Sequence, residues 1–105
     1  MIAYEVTAEM DERLAAAYER YMREIHIPEV LATGCFRGAV LGRSAPGRYR
    51  TAYIARSRSD LDRYLERYTT ALREDFAARF PEGVSLSREI WVTVERWEGG
   101  ASSPA

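Results

Sequence analysis

Lysine, asparagine and glutamine are absent from this chain of 105 residues, and cysteine and histidine occur once each, as Cys35 and His26. Without lysine there is no amine for a Schiff base and no lysine to anchor a nucleotide phosphate. One cysteine forms neither an internal disulfide nor a thiolate metal cluster. A zinc site would have to join His26, Cys35 and carboxylates from separated elements, at no familiar ligand spacing. A Ser-His-Asp triad would have to use His26, and no G-x-S-x-G turn is there to present its serine. The phosphate-loop pattern G-x-x-x-x-G-K is missing as well. No apolar run approaches the roughly 20 residues of a membrane-spanning helix. Met1 leads into an alternating segment rather than a signal sequence. These absences predict a cytoplasmic domain that uses no metal and no bound cofactor and meets no membrane.

What is present describes one ordinary globular domain. All 15 basic residues are arginine, 16 acids offset them, and the net charge is -1. With a pI near 5.9 and arginines interleaved with acids, nucleic acid is not an expected partner. Hydrophobic residues make up 47% of the chain, too many for disorder and enough for one modest core.

Ile2, Tyr4 and Val6 alternate with Ala3, Glu5 and Thr7, the period of a half-buried strand. Asp11 is the predicted N-cap of a first helix whose stripe is Leu14, Tyr18, Tyr21, Met22 and Ile25. Pro28 predicts an end to that helix near Ile25 or His26, with a short second turn from Pro28 to Ala32 and Gly34 as its left-handed stop. Cys35 to Leu41 reads as a second strand with a bulge at Gly38, Gly42 to Gly47 as a loop, and Tyr49 to Ile54 as an antiparallel third strand. Ser57 and Asp60 form a variant capping box for a second helix carrying Leu61, Tyr64, Leu65, Tyr68, Leu72 and Phe76, with a break expected at Thr69 and Thr70. Val84 to Trp97 is predicted as a long last strand with Ile90, Val92 and Val94 on one face, though Arg88 and Glu89 leave open which face meets the helices. Residues 1–98 thus form one domain, and 99–105 read as a disordered small-residue tail.

The order strand, helix, strand, strand, helix, strand is the βαββαβ arrangement of ferredoxin-like α+β folds, a four-stranded antiparallel sheet with both helices on one face. The opposite face then carries more apolar surface, Trp91 and Trp97 included, than two helices hide. A homodimer packed through the sheet face is the predicted way to cover it.

Met1 to Val6, the run His26-Ile27-Pro28-Glu29-Val30-Leu31-Ala32-Thr33-Gly34-Cys35-Phe36, and Tyr53-Ile54-Ala55 through Ser59-Asp60-Leu61-Asp62-Arg63-Tyr64-Leu65 together resemble the bacterial DUF4286 family, a domain of unknown function. The likeness spans nearly all of the chain except the tail, and it implies membership of the dimeric α+β barrel superfamily. It supplies no activity, because the family has none assigned. More distant superfamily relatives include cofactor-free monooxygenases, isomerases, cyclases and EthD-like proteins, some with a histidine after the first helix.

His26 is the candidate catalytic residue. On a continuing helix it stays near the apolar stripe, where an imidazole titrating near neutrality serves as base or acid. The competing reading has the ring closing the helix end ahead of Pro28, favoured there by the helix dipole. Seven tyrosines, at positions 4, 18, 21, 49, 53, 64 and 68, suit either a core with hydroxyls reaching water or a cleft for a flat, partly polar ligand. Tyr18, Tyr21 and Met22 share the His26 face and are the first substrate-binding candidates, with Tyr4 or Tyr53 as the floor. Arg37, Arg48 and Arg50 form a cationic patch for a carboxylate or pair with Glu5, Glu89 or Glu95. Cys35 is expected to be a buried, inert thiol.

The sequence therefore predicts binding of a small aromatic or carbonyl-containing molecule, with a cofactor-independent isomerase, cyclase or monooxygenase type of activity in which His26 moves a proton. The alternative is a non-catalytic dimeric ligand carrier or interaction module. Substrate and pathway are not written in the sequence.

Overall fold

The computed structural model describes residues 1–100. Its order is β1 (Ile2–Met10), α1 (Glu12–Tyr21), a π-helical turn (Met22–His26), α2 (Ile27–Ala32), β2 (Phe36–Ala45), β3 (Arg48–Ala55), α3 (Arg58–Arg67), α4 (Thr69–Arg79) and β4 (Val84–Val92). The strands pair antiparallel in the order β2-β3-β1-β4, which is the expected ferredoxin-like βαββαβ fold.

Local chemistry sets most of the boundaries. The Asp11 carboxylate accepts from the Arg13 backbone N–H at 2.9 Å, and the Ser57 hydroxyl accepts from the Asp60 N–H at 3.1 Å, so both helical layers begin at a side-chain cap. Between α3 and α4 the backbone leaves helical values at Tyr68, φ -117°. The Thr69 hydroxyl beside it donates to the Leu65 carbonyl at 2.7 Å, a local bond that favours such a break. The register shifts between Phe36 and Gly38, the expected bulge.

Three boundaries differ from the sequence reading. The first helix does not end at Ile25 or His26. The Ile27 N–H reaches back to the Met22 carbonyl, a step of five residues, and the helix runs on to Ala32. Proline collides with the carbonyl four residues before it in an α-helix, and the wider π-turn gives the Pro28 ring room there instead of stopping the chain. β2 continues to Ala45, so the expected loop shrinks to a turn at Pro46 and Gly47. Gly47 has φ +77°, and a Cβ on it would collide with the Met10 carbonyl oxygen, so the turn is closed by the one residue that fits. β4 stops at Val92 rather than Trp97. Its partner strand begins at Ile2, which sits opposite Val92, and beyond that point, among the described residues, the one backbone hydrogen bond is from the Thr93 N–H to the Met1 carbonyl at 2.9 Å. Of the predicted tail, residues 101–105 lie outside the described residues.

Cross-strand pairing divides the sheet into two faces. Ile2, Tyr4, Val6 and Ala8 of β1, Tyr49, Thr51, Tyr53 and Ala55 of β3, and Leu86, Arg88 and Ile90 of β4 share the helix side. The core forms there in two clusters, one around Tyr4, Tyr53, Phe36, Val30, Leu61 and Tyr64, the other around Ala8, Tyr18, Tyr21, Met22 and Tyr49. The other face carries Ala3, Ile54, Ala52, Val40 and Trp91 at one end and Glu5, Arg50, Glu9 and Arg48 toward the other.

Candidate functional site

The two core clusters do not meet tightly. Between them lies a cleft enclosing ≈ 460 Å³, its mouth included, lined by Tyr4, Val6, Tyr18, Met22, His26, Tyr53, Tyr64, Thr69, Leu72, Arg73, Phe76, Leu86 and Arg88. It is narrow, because the aromatic side chains that line it leave little open space between them.

Five of the six residues singled out from sequence, His26, Tyr4, Tyr18, Met22 and Tyr53, share this one wall. They come together because the π-turn keeps His26 on the stripe of Tyr18 and Met22, while β1 and β3 set Tyr4 opposite Tyr53 in register. The rings of Tyr4 and Tyr53 stack at 6.3 Å, and Tyr64 tilts against Tyr4 at 5.9 Å.

The sixth residue, Tyr21, stands behind the histidine rather than on the cleft wall. Its hydroxyl donates to Asp75 Oδ2 at 2.6 Å and lies 3.5 Å from His26 Nδ1. Because that hydroxyl gives its proton to Asp75, it faces His26 as an acceptor. This favours the tautomer protonated at Nδ1 and leaves the lone pair on Nε2. Phe76 packs edge-on to the imidazole at 6.4 Å, and the Arg79 guanidinium lies over the Tyr21 ring at 5.3 Å. The helix runs on past His26, and its ring makes no side-chain cap hydrogen bond to the start of α2.

Burial sets the electrostatics. It lowers the His26 pKa from its usual value, Asp75 opposes that shift and Arg88 adds to it, so the ring is neutral at pH 7 and ready to accept a proton. Burial pushes the Tyr18 phenol up to about 12. Tyr21, Tyr53 and Tyr64 are raised for the same reason, Tyr21 further by the Asp75 carboxylate. All four remain neutral phenols. They offer hydrogen bonds rather than charge.

Sequence reasoning missed Asp75, Arg73 and Arg88. Arg88 lies directly across from Val6 in the β1–β4 pairing, on the helix side, where an alternating strand is expected to be apolar. That break in alternation was the available signal. The patch expected from Arg37, Arg48 and Arg50 lies elsewhere: Arg48 pairs with Glu9 at 2.9 Å and Arg50 approaches Glu5 at 4.0 Å on the outer face, while Arg37 is exposed at the bulge. Cys35 is fully buried, with the Arg63 guanidinium 3.3 Å from its sulfur. Among the described residues no three His, Cys, Asp or Glu side chains converge to hold a metal ion, and no helix is long and apolar enough to cross a membrane.

The model of a family described as "Domain of unknown function (DUF4286)" matches residues 1–94. No curated protein matches the chain in sequence. Among solved structures, HapK from Hahella chejuensis superposes with a TM-score of 0.69 at 15% identity, covering 95% of this chain and 100% of its own. A dimeric ferredoxin-like protein from an uncultured marine organism gives 0.68 at 9% identity, covering 94% and 100%. A Deinococcus radiodurans protein carrying the provisional description antibiotic biosynthesis monooxygenase gives 0.66 at 13% identity, covering 93% and 97%. At these identities the likeness establishes the fold alone.

Proposed function

The chain belongs to the DUF4286 family, and from that premise we propose that it binds a small organic molecule in the cleft and acts on it without a cofactor, with His26 transferring a proton. The observation that carries this reading is the neutral imidazole on an aromatic wall, with Nδ1 backed by Tyr21 and Asp75. Nε2 would take a proton from a carbon next to a carbonyl, leaving the electron pair on the carbonyl oxygen as an enolate. Returning the proton at another carbon is isomerisation and needs no further reactant. Closure of the enolate on an internal carbonyl is cyclisation, and oxygenation would require dioxygen as co-substrate. Tyr18 would orient the substrate, Tyr4 and Tyr53 would line its floor, and Tyr21 would hold the base. The provisional monooxygenase description of one structural neighbour is compatible with this reading.

The active unit we propose is a homodimer joined through the outer face of the sheet. Trp91 and Val40 are 54% and 64% exposed on that face, and large apolar side chains so placed mark an interaction surface. One of the structural neighbours is described as dimeric.

A second reading, a non-catalytic dimeric ligand carrier or interaction module, is favoured by the narrowness of the cleft. A proton NMR titration of the single histidine, with and without small organic acids and phenols, separates the two. Titration below the usual value together with a ligand-dependent shift supports an accessible base. A ring that neither titrates nor responds sinks the enzyme reading. Replacing His26 by Ala should then remove turnover while the dimer persists.

A further inference from the structure

The charge on the cleft wall is out of proportion to the chain as a whole. Acids outnumber arginines by 16 to 15 overall, yet among the described residues the wall holds Arg73, Arg88 and His26 and not one carboxylate. Neither arginine forms an ion pair among the described residues, whereas Arg43, Arg48 and Arg50 on the sheet all reach glutamates. Arg73 and Arg88 reach the wall from opposite sides, Arg73 from α4 and Arg88 from β4. Arg73 Nη2 donates to the Tyr4 hydroxyl at 3.5 Å, which links the cation to the buried aromatic floor. One polar group beside the cleft is unpartnered: Tyr53 lines the wall and is only 1% exposed, and among the described residues its hydroxyl has no hydrogen-bond partner. A buried polar group without a partner is costly, and inside a cleft a ligand oxygen is the partner it fits.

We propose that the ligand is an organic anion, its carboxylate or enolate oxygens held by Arg73 and Arg88 and its apolar body lying among Tyr4, Tyr53 and Tyr64. This rests on the reading of the cleft as a small-molecule site and deepens it by fixing the ligand's charge. The two guanidiniums supply charge-assisted, fork-shaped donors suited to a planar oxyanion. The same pair would stabilise negative charge developing on a substrate oxygen as His26 removes a proton.

The test uses the full chain and matched acid and amide probes, cinnamate with cinnamamide and 4-hydroxybenzoate with 4-hydroxybenzamide, followed through the His26 ring resonances at low ionic strength. The expected result is at least ten-fold tighter binding of each acid than its amide. That preference should vanish in Arg73→Met and Arg88→Met, with amide affinity kept, and return in part in Arg88→Lys. Both arginines are exposed, so the variants should fold, and their thermal midpoints check it. Equal binding of acid and amide overturns the anion assignment and leaves the small-molecule site standing. Failure of all four probes to bind overturns both.

Discussion

The Tyr21 hydroxyl and the Asp75 carboxylate are joined by a 2.6 Å hydrogen bond across 54 residues of sequence. It ties the end of α1 to the middle of α4, and it decides what His26 meets on its Nδ1 side. Without Asp75 the tyrosine would be free to turn its proton toward the imidazole.

Asp75→Asn should therefore lower the His26 pKa further, because it removes the one nearby group that holds it up. Arg88→Met should raise it, since a neighbouring cation is lost. Opposite displacements from the wild-type titration midpoint, read by NMR, are the expected outcome. Midpoints unmoved in both variants would mean that burial alone governs the ring.

The depressed His26 pKa also links stability to pH. The unfolded chain binds this proton near pH 6.5 and the folded chain only at lower pH, so stability is full above about 6.5 and falls as pH drops toward the folded value. His26→Gln should flatten that part of the profile in denaturant titrations between about pH 5 and 7. An unchanged slope would assign the acid sensitivity to carboxylates.

Gly47→Ala should destabilise the fold by about 1–3 kcal/mol, because alanine there meets both an unfavourable positive φ and the Met10 carbonyl. The same change at Gly38, where a Cβ has open space and no positive φ is imposed, should cost far less. Thermal melts of the two variants compare them directly.

Tyr53→Phe removes a buried hydroxyl that has no partner. The ligand-free protein should hold or gain stability, by up to about 1 kcal/mol, while acid-probe affinity falls. A clear loss of stability would mean that the hydroxyl is bonded in solution.

Trp91→Glu combined with Val40→Arg should convert the proposed dimer to a monomer by sedimentation, with an unchanged far-UV spectrum. Both side chains are exposed on the outer face of the sheet, so the protomer loses no core contact. A dimer that survives the double substitution would move the interface elsewhere.

Much of the fold was legible because its signals are local. Alternation in Ile2, Tyr4 and Val6 marked β1, Asp11 and Ser57 marked two helix starts, and Gly34 with φ +77° ended α2 as read. Proline 28 misled, because a π-turn is an outcome of packing that the usual proline signal does not include. The length of β4 misled for a related reason. Val94 and Trp97 have the pattern of a strand, but a strand exists only as far as its partner runs, and Ile2 sits opposite Val92.

The site divides in the same way. By itself the sequence determined that an aromatic helix stripe of Tyr18, Tyr21 and Met22 leads up to the single histidine, and that the chain has no lysine, no phosphate loop and no second cysteine. Only the tertiary structure decided that Asp75 stands behind Tyr21 and that Arg73 and Arg88 converge on the His26 wall. Helical and strand periods relate residues within one element, where the backbone sets the spacing. Contacts between α1, α4 and β4 depend on how those elements cross, and that is settled by packing two layers together.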